Sequence, residues 1–316
     1  MVHPEVPAVR DLSVDLAGVR LRNPLVLASG IWGSSPQTLL RAGRAGAGAV
    51  TSKSASVAPR KGHPNPTVLN WGSGLINAVG LTNPGAQAER ELLLTVRDAL
   101  RAAHTALIIS VFGGVPGDFA EAVEILEPVQ GDLVELNISC PNVHSEFGRP
   151  FALEPAAAAA VTRRVRAVHR GPLLVKLSPN TPDIVHVARA VVDAGADGLT
   201  AVNTLGPGML IDVHARRPIL ANATGGVSGD AIRPIALRCV YELASVIDVP
   251  IIGTGGISTG LHALQMIMAG ATAVGIGSAL VEVGACVFER VLGELLLLME
   301  ELDITDLADV RGVAHV

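Results

Sequence analysis

Along most of the chain, short apolar runs alternate with longer segments in which apolar positions recur every three or four residues. The first pattern suits a strand covered on both faces, the second a helix that lays one stripe against a sheet. The short runs predict strands at Leu25–Ser29, Ala49–Lys53, Ala106–Val111, Leu133–Ile138, Leu173–Leu177, Gly198–Val202, Pro250–Gly253 and Ala273–Ile276. The periodic segments predict helices over Ala86–Ala103, Pro155–His169, Asp183–Ala194, Ile232–Ile247 and Val287–Leu302. Glycine follows several of them, as in DAGADG and MAGATA, where a left-handed residue ends a helix before the next strand. Eight such units predict an α/β fold, a (β/α)8 TIM barrel occupying residues 1–316 as a single domain. An open doubly wound sheet shares the local pattern but needs a Gly-rich dinucleotide turn after its first strand, and here that strand runs into ASGIWGS.

Three segments depart from a minimal barrel. SVDLAGVRLRNP, before the first strand, alternates like an N-terminal hairpin that could close the lower end of the barrel. Ser54–Pro84 and Gly206–Asp230 are insertions after the second and sixth strands, on the side where barrel enzymes build their active sites. The stretch Val249–Val281 lacks Asp, Glu, Lys and Arg, yet its glycines mark it as strand, short helix and strand rather than a membrane span.

Composition narrows the function. Apolar residues make up 49% and charged residues 17% of the chain, ample for a large core, and the net charge of −5 offers no footprint for nucleic acid or an acidic membrane. A small-molecule substrate is the expectation. Cys140, Cys239 and Cys286 are scattered, with no disulfide framework and no metal-site spacing, so no metal is expected and a reducing cytoplasm fits. The N-terminus has no apolar core of a signal peptide.

The densest chemistry is ELNISCPN, Glu135–Asn142, which begins in an apolar strand and ends at its catalytic-face tip. Asn137 and Asn142 each offer an amide donor and acceptor, enough to read the alternating N–H and C=O edge of a pyrimidine-like ring. A lone cysteine is ordinarily a small core residue. Cys140, between two asparagines and a polar loop, is not placed like one. Lys53 and Lys176 sit in apolar settings at catalytic-face positions of two strands, where either could snorkel to solvent, but a cation there could also offset negative charge developing on a flavin. Gly255, Gly256, Gly277 and Ser278, in the last two strand-to-helix loops, would let backbone N–H groups approach a phosphate, with Gly225 and Gly226 as possible additions.

These residues resemble the class 1 dihydroorotate dehydrogenases, through NPLVLASG, TSKS, NPTVLNW, INAVGLTNPG, ELNISCPNV, VKLSPN, VNTLGPGM, ILANATGG, SGDAIRPIALR and IIGTGGI, in the family's order from about Leu21 to Ala279. Class 2 enzymes carry Ser as the base and an N-terminal membrane-associating helix, and neither feature is present. The resemblance implies FMN above the barrel and (S)-dihydroorotate oxidised to orotate in pyrimidine (UMP) synthesis, with Cys140 taking the C5 proton and hydride leaving C6 for flavin N5. By the same likeness Lys53, Asn77, Gly80, Leu81, Asn137, Asn142, Asn203 and Thr204 meet the substrate. Ser29, Gly30, Lys53, Ser54, Asn137, Lys176, Gly226, Gly229, Gly255, Gly256, Gly277 and Ser278 would meet the cofactor.

The pattern is most similar to the heteromeric (class 1B) branch, whose catalytic chain works with an electron-transfer subunit carrying FAD and an iron-sulfur cluster. Cluster ligation normally takes four cysteines, and the chain has three. The assemblies implied are a homodimer or a heterotetramer with that subunit. One position departs from the family pattern: Ser110, in LIISVFGG, stands where asparagine is usual near the flavin. Two alternatives remain, a dihydropyrimidine dehydrogenase-like FMN enzyme, whose uncharged substrate needs no carboxylate-binding lysine, and a non-catalytic barrel for a phosphorylated ligand.

Overall fold

A computed structural model describes residues 10–139 and 151–315. The hairpin β1 (Val14–Leu16) and β2 (Val19–Leu21) precedes the barrel strands β3 (Leu25–Leu27) and β4 (Ala49–Thr51). The first insertion carries β5 (Val68–Asn70) and β6 (Leu75–Asn77), after which β7 (Ala106–Val111), β8 (Leu133–Asn137), β9 (Leu173–Lys176) and β10 (Gly198–Ala201) continue the barrel. The second insertion carries β11 (Leu205–Gly208), β12 (Ile211–Asp212), β13 (Arg217–Pro218) and β14 (Gly225–Ser228). The last two staves are β15 (Ile251–Thr254) and β16 (Ala273–Ile276). All eight expected strands are present, parallel, and closed into a ring in which β9 pairs with β10 and β16 returns to β3.

The interior of the ring is layered. Val26, Ala49, Ala106, Ile108, Leu133, Leu174, Ile252 and Ala273 fill its lower half, and Leu16 and Leu21 of the hairpin pack into the same cluster as a plug. The larger apolar cluster lies outside the ring, between the strands and the surrounding helices. Two matching devices fasten the lower rim. Arg97 pairs in bidentate fashion with Asp132 at 2.9 and 2.7 Å while Asp132 Oδ2 accepts from Leu107 N at 2.7 Å. Arg166 pairs through Nη2 alone with Asp197, whose Oδ2 also accepts from Leu173 N at 2.9 Å. Each aspartate thereby ties the start of its own strand to the neighbouring strand and to the helix that precedes that neighbour.

Helix starts follow local chemistry. Pro36, Pro116 and Pro155 occupy the first helical turn, where a missing N–H costs nothing, and Asp183 caps the next helix by accepting from His186 N at 2.9 Å. One expectation is corrected. The helix anticipated over Ala86–Ala103 is two, Ala86–Leu94 and Arg97–Ala102. The break falls at Thr95 and Val96, two β-branched residues, and Thr95 Oγ1 donates back to the Leu92 carbonyl at 2.6 Å.

The two insertions, distant in sequence, form one antiparallel sheet in the order β11-β14-β6-β5. Gly226 pairs with Asn77, Val227 with Ile76 and Ser228 with Leu75. Ile76, Ala78 and Leu220 give this sheet a small core of its own.

Candidate functional site

The C-terminal ends of the barrel strands and the inserted sheet face each other across a cavity enclosing about 830 Å³, part of it open to solvent. From the barrel come Ser29, Gly30, Lys176, Asn203, Thr204, Gly255, Gly256, Gly277 and Ser278, and from the sheet side come Asn77 and Gly229. Eleven of the residues singled out in the sequence therefore line one space. Val202, Ser228 and Thr254 line it too, and had not been singled out. Thr254 stands directly before the Gly255–Gly256 pair, so its position in IIGTGGIS was the available signal.

Two features of this cavity suit an anionic guest. Lys176, 5% exposed, reaches it from within β9 and has no ion-pair partner among the described residues. A buried cation left without a partner costs several kcal/mol, roughly, so the site is built for a negative group. The Thr254 hydroxyl is also buried with no hydrogen-bond partner among the described residues. Two of the glycines answer to packing within the protein: a Cβ on Gly256 would lie 2.7 Å from Arg233 Cβ and 2.8 Å from Gly229 O, and one on Gly226, which does not line the cavity, would lie 2.1 Å from Thr204 Oγ1. Gly256 also holds a φ of +73°, which side chains rarely adopt.

Behind the lining residues runs a ladder of polar side chains. Ser29 Oγ meets Ser54 Oγ at 3.3 Å, and Ser54 Oγ meets Ser110 Oγ at 2.9 Å. Asn137 Nδ2 donates to Ser54 Oγ at 3.0 Å, Ser139 Oγ donates to Asn137 Oδ1 at 3.3 Å, and Asn203 Nδ2 donates to Ser139 Oγ at 2.8 Å. Ser54 and Asn137 thus orient Asn203, which lines the cavity, and Thr204 N donates to Asn203 Oδ1 at 2.8 Å. Asn77 Nδ2 donates to Gly226 O at 3.3 Å, which fixes that amide to the opposite insertion. Asn180, noted only as part of VKLSPN, clamps the turn after Thr204 by donating to Thr204 O at 3.2 Å and accepting from Gly206 N at 2.9 Å.

Glu135 is the unannounced member of this ladder. It is 2% exposed, points into the ring above Leu133, and accepts from Thr200 Oγ1 at 2.8 Å and Ser110 Oγ at 3.3 Å. Ser110 is fully buried, and its amide also donates to Ser52 Oγ at 3.1 Å. It belongs to the layer under the cavity, not to its lining.

Other residues fall elsewhere. Lys53 lies two residues beyond β4 rather than at its end, 7% exposed, with its amide donating to Gly33 O at 2.9 Å. Gly80 and Leu81 form a left-handed turn, with φ of 74° and 57°, and do not line the cavity; Val79 does. Gly80 O instead accepts from Arg60 Nε at 2.9 Å. Cys140 and Asn142 lie outside the described residues. Of the other cysteines, Cys239 is buried, where desolvation pushes its thiol up from the ordinary value, and Cys286 is exposed at a helix start. Among the described residues no helix is long and apolar enough to cross a membrane, and no three His, Cys, Asp or Glu side chains are grouped to hold a metal.

Fold and site together define an α/β-barrel protein with a polar, cation-bearing pocket at the C-terminal mouth. The chain belongs to the dihydroorotate dehydrogenase family, whose model matches residues 11–299. It is 42% identical over 304 residues to the catalytic subunit of dihydroorotate dehydrogenase B (NAD(+)) from Methanocaldococcus jannaschii, covering 96% of this chain and 98% of that one. The subunits of the same name from Pyrococcus furiosus and Alkaliphilus metalliredigens are each 43% identical, covering 96% of this chain and 99% and 98% of theirs. A crystal structure of dihydroorotate dehydrogenase from Eimeria tenella, in complex with ferulenol, shares the fold with a TM-score of 0.83 at 24% identity, covering 100% of this chain and 91% of that one.

Proposed function

We propose that the chain oxidises (S)-dihydroorotate to orotate in pyrimidine (UMP) synthesis, with FMN held in the cavity above the barrel. The observation that carries the assignment is Lys176: a buried cation with no protein partner among the described residues, set between a cradle of glycines and a row of asparagines in a chain of this family. FMN, when bound, would supply the acceptor for the hydride from C6 of the substrate. Lys176 would offset negative charge on the flavin, and the backbone at Gly229, Gly255, Gly256, Gly277 and Ser278 would hold the phosphate. Ser29, Gly30, Ser54 and Gly226 complete the cofactor surroundings.

Asn77, Asn137, Asn142, Asn203 and Thr204 hold the ring amides of the substrate, and the orientation of the Asn203 amide is fixed by donation from its Nδ2 to Asn137 Oδ1 at 3.5 Å and to its Oδ1 from Thr204 N at 2.8 Å. Lys53 takes the substrate carboxylate, near the turn at Gly80 and Leu81. Cys140 removes the C5 proton. A thiol with an ordinary pKa of roughly 8.5 is only partly ionised near neutrality, so the rate of substrate oxidation rises with pH.

The test is anaerobic mixing of the purified chain with dihydroorotate while following visible flavin absorbance, with Cys140→Ala beside it. Bleaching of a yellow protein by dihydroorotate supports the assignment. A protein reduced by dihydrouracil and indifferent to dihydroorotate would favour the dihydropyrimidine reading instead, and a colourless one the non-catalytic barrel.

The chain further acts in the cytoplasm as a dimer of catalytic subunits joined by an electron-transfer subunit that carries FAD and an iron-sulfur cluster, since its three cysteines fall short of the four a cluster takes. Reduction of NAD by the isolated chain alone would overturn that assembly.

A further inference from the structure

Glu89 has no part in the machinery above, yet it is an acidic side chain only 2% exposed. Its Oε2 has no hydrogen-bond partner among the described residues. It lies in the first turn of the helix Ala86–Leu94, which begins hard against the chain leaving β4. Ala86 N donates to Ser56 O at 2.7 Å, Gly85 N to Asn83 Oδ1 at 2.9 Å, and Asn83 Nδ2 to Ser56 Oγ at 3.0 Å. The helix start is therefore fastened to the segment that presents Lys53.

Several charged groups on the packed elements are engaged elsewhere. Arg90, on the same helix, pairs with Glu91, and Arg97, on the next, pairs with Asp132. On the helix Pro116–Leu126, Asp118 accepts from Gly114 N and Val115 N. Asp98, Arg101, Glu121, Glu124 and Glu127 also lie on these elements, and Lys53 is the charged group that acts on Glu89. Burial pushes the Glu89 carboxyl up to about 7, and Lys53 pulls against that rise. Near neutral pH the carboxyl is thus poised between its two forms, with Lys53 favouring the ionised one.

We propose that Glu89 is a positioning residue for Lys53 that takes up a proton when the anionic substrate engages that lysine, coupling ligand binding to protonation. The inference rests on the assignment of Lys53 to the substrate carboxylate. With no ligand, Lys53 stabilises the Glu89 carboxylate. When a ligand carboxylate arrives, its negative charge cancels that stabilisation, and Glu89 takes one proton from solvent and returns it as the ligand leaves. Because the ligand prefers the protonated form, affinity is highest on the acid side and falls as pH rises through about 7; a further rise of about one pKa unit on binding makes this roughly tenfold.

The experiment is calorimetric titration of orotate into the FMN-loaded protein, in buffers of different ionisation enthalpy, for the wild type, Glu89→Gln and Lys53→Met. At about pH 7 the wild type is expected to take up a substantial fraction of a proton, roughly half, and at about pH 5, where Glu89 already holds its proton, almost none. In Glu89→Gln the uptake disappears and the affinity no longer weakens with pH. Orotate binding without proton uptake in the wild type overturns the proposal even if no Glu89 variant folds, as does uptake that persists in Glu89→Gln; both leave the assignment of Lys53 standing. Orotate affinity unchanged in Lys53→Met removes that assignment and the proposal with it.

Discussion

The two halves of the barrel interior are built on the same inward-facing rails and do opposite work. On β8 the rail reads Leu133, Glu135, Asn137; on β9 it reads Leu174, Lys176; on β7, Ile108 then Ser110; on β15, Ile252 then Thr254. Two residues along a strand returns a side chain to the same face, so a single step of the pleat converts a dry plug into a polar floor. The lower layer is sealed by Leu16 and Leu21 and holds the ring together. The upper layer carries a cation, a carboxylate, hydroxyls and amides, so it gives up apolar packing for groups that meet a guest. Damage to one layer should therefore read out as lost stability, and damage to the other as lost chemistry.

The largest effect that separates them is expected from Cys140→Ala, just beyond the upper end of β8. Removing a general base slows the chemical step by roughly 10²- to 10⁴-fold. Stopped-flow reduction by dihydroorotate should show this loss with the melting temperature almost unchanged, and a variant that reduces at the wild-type rate would take Cys140 out of the mechanism.

The converse comes from Leu174→Ala, one step below Lys176 and fully buried. Truncating a packed leucine costs roughly 2–5 kcal/mol through lost burial and the cavity left behind. Denaturant unfolding should record that loss, while the rate of substrate oxidation per folded molecule stays within about twofold of wild type. A large loss of rate in folded Leu174→Ala would mean that the two layers are mechanically coupled.

What the sequence reveals follows the same division. The eight staves were legible because strands covered on both faces leave unbroken apolar runs, and Asp183 and the helix prolines announce where helices start. The pairing of the two insertions was not: β6 and β14 are only three and four residues long, and nothing local in LIN or GGVS says that they meet. Many of the residues drawn to the cavity were legible from their place at strand tips. Gly80 and Leu81, drawn from likeness alone, stand off it, because Arg60 and His63 hold that turn from the other side. Glu135 and Glu89 were missed, although each left a mark, one inside an apolar strand and one on the buried stripe Ala86, Glu89, Leu93 of a helix.

Glu89 offers a stability effect of the opposite sign to most carboxylates. Its ordinary value of 4.5 is pushed up to about 7 in the folded chain, so the folded state holds the proton more tightly than the unfolded one. The associated stability is fully present below about pH 4.5 and is lost as pH rises through about 7, amounting to at most about 3 kcal/mol. Chemical denaturation at about pH 6 and pH 8.5 should show the last part of this decline, roughly 1.4 kcal/mol, in the wild type and a flatter profile in Glu89→Gln. Equal slopes in the two proteins would mean that Glu89 titrates alike folded and unfolded.

The smallest effect is also the one that best locates the boundary between the layers. Ser110 sits above Ile108, is fully buried, and touches Ser54, Ser52 and Glu135 without reaching the cavity. Ser110→Ala removes its hydroxyl from Ser54 and Glu135, while Thr200 still donates to the Glu135 carboxylate at 2.8 Å. With one strong partner kept, the loss should be about 1 kcal/mol in denaturant unfolding, with the rate of substrate oxidation and the affinity for orotate within about twofold of wild type. That result would place Ser110 with the structural floor. If instead the rate falls tenfold while stability barely moves, the ladder through Ser54 to Asn137 transmits the position of Ser110 to the substrate, and the functional layer begins one residue lower on β7 than the cavity lining indicates.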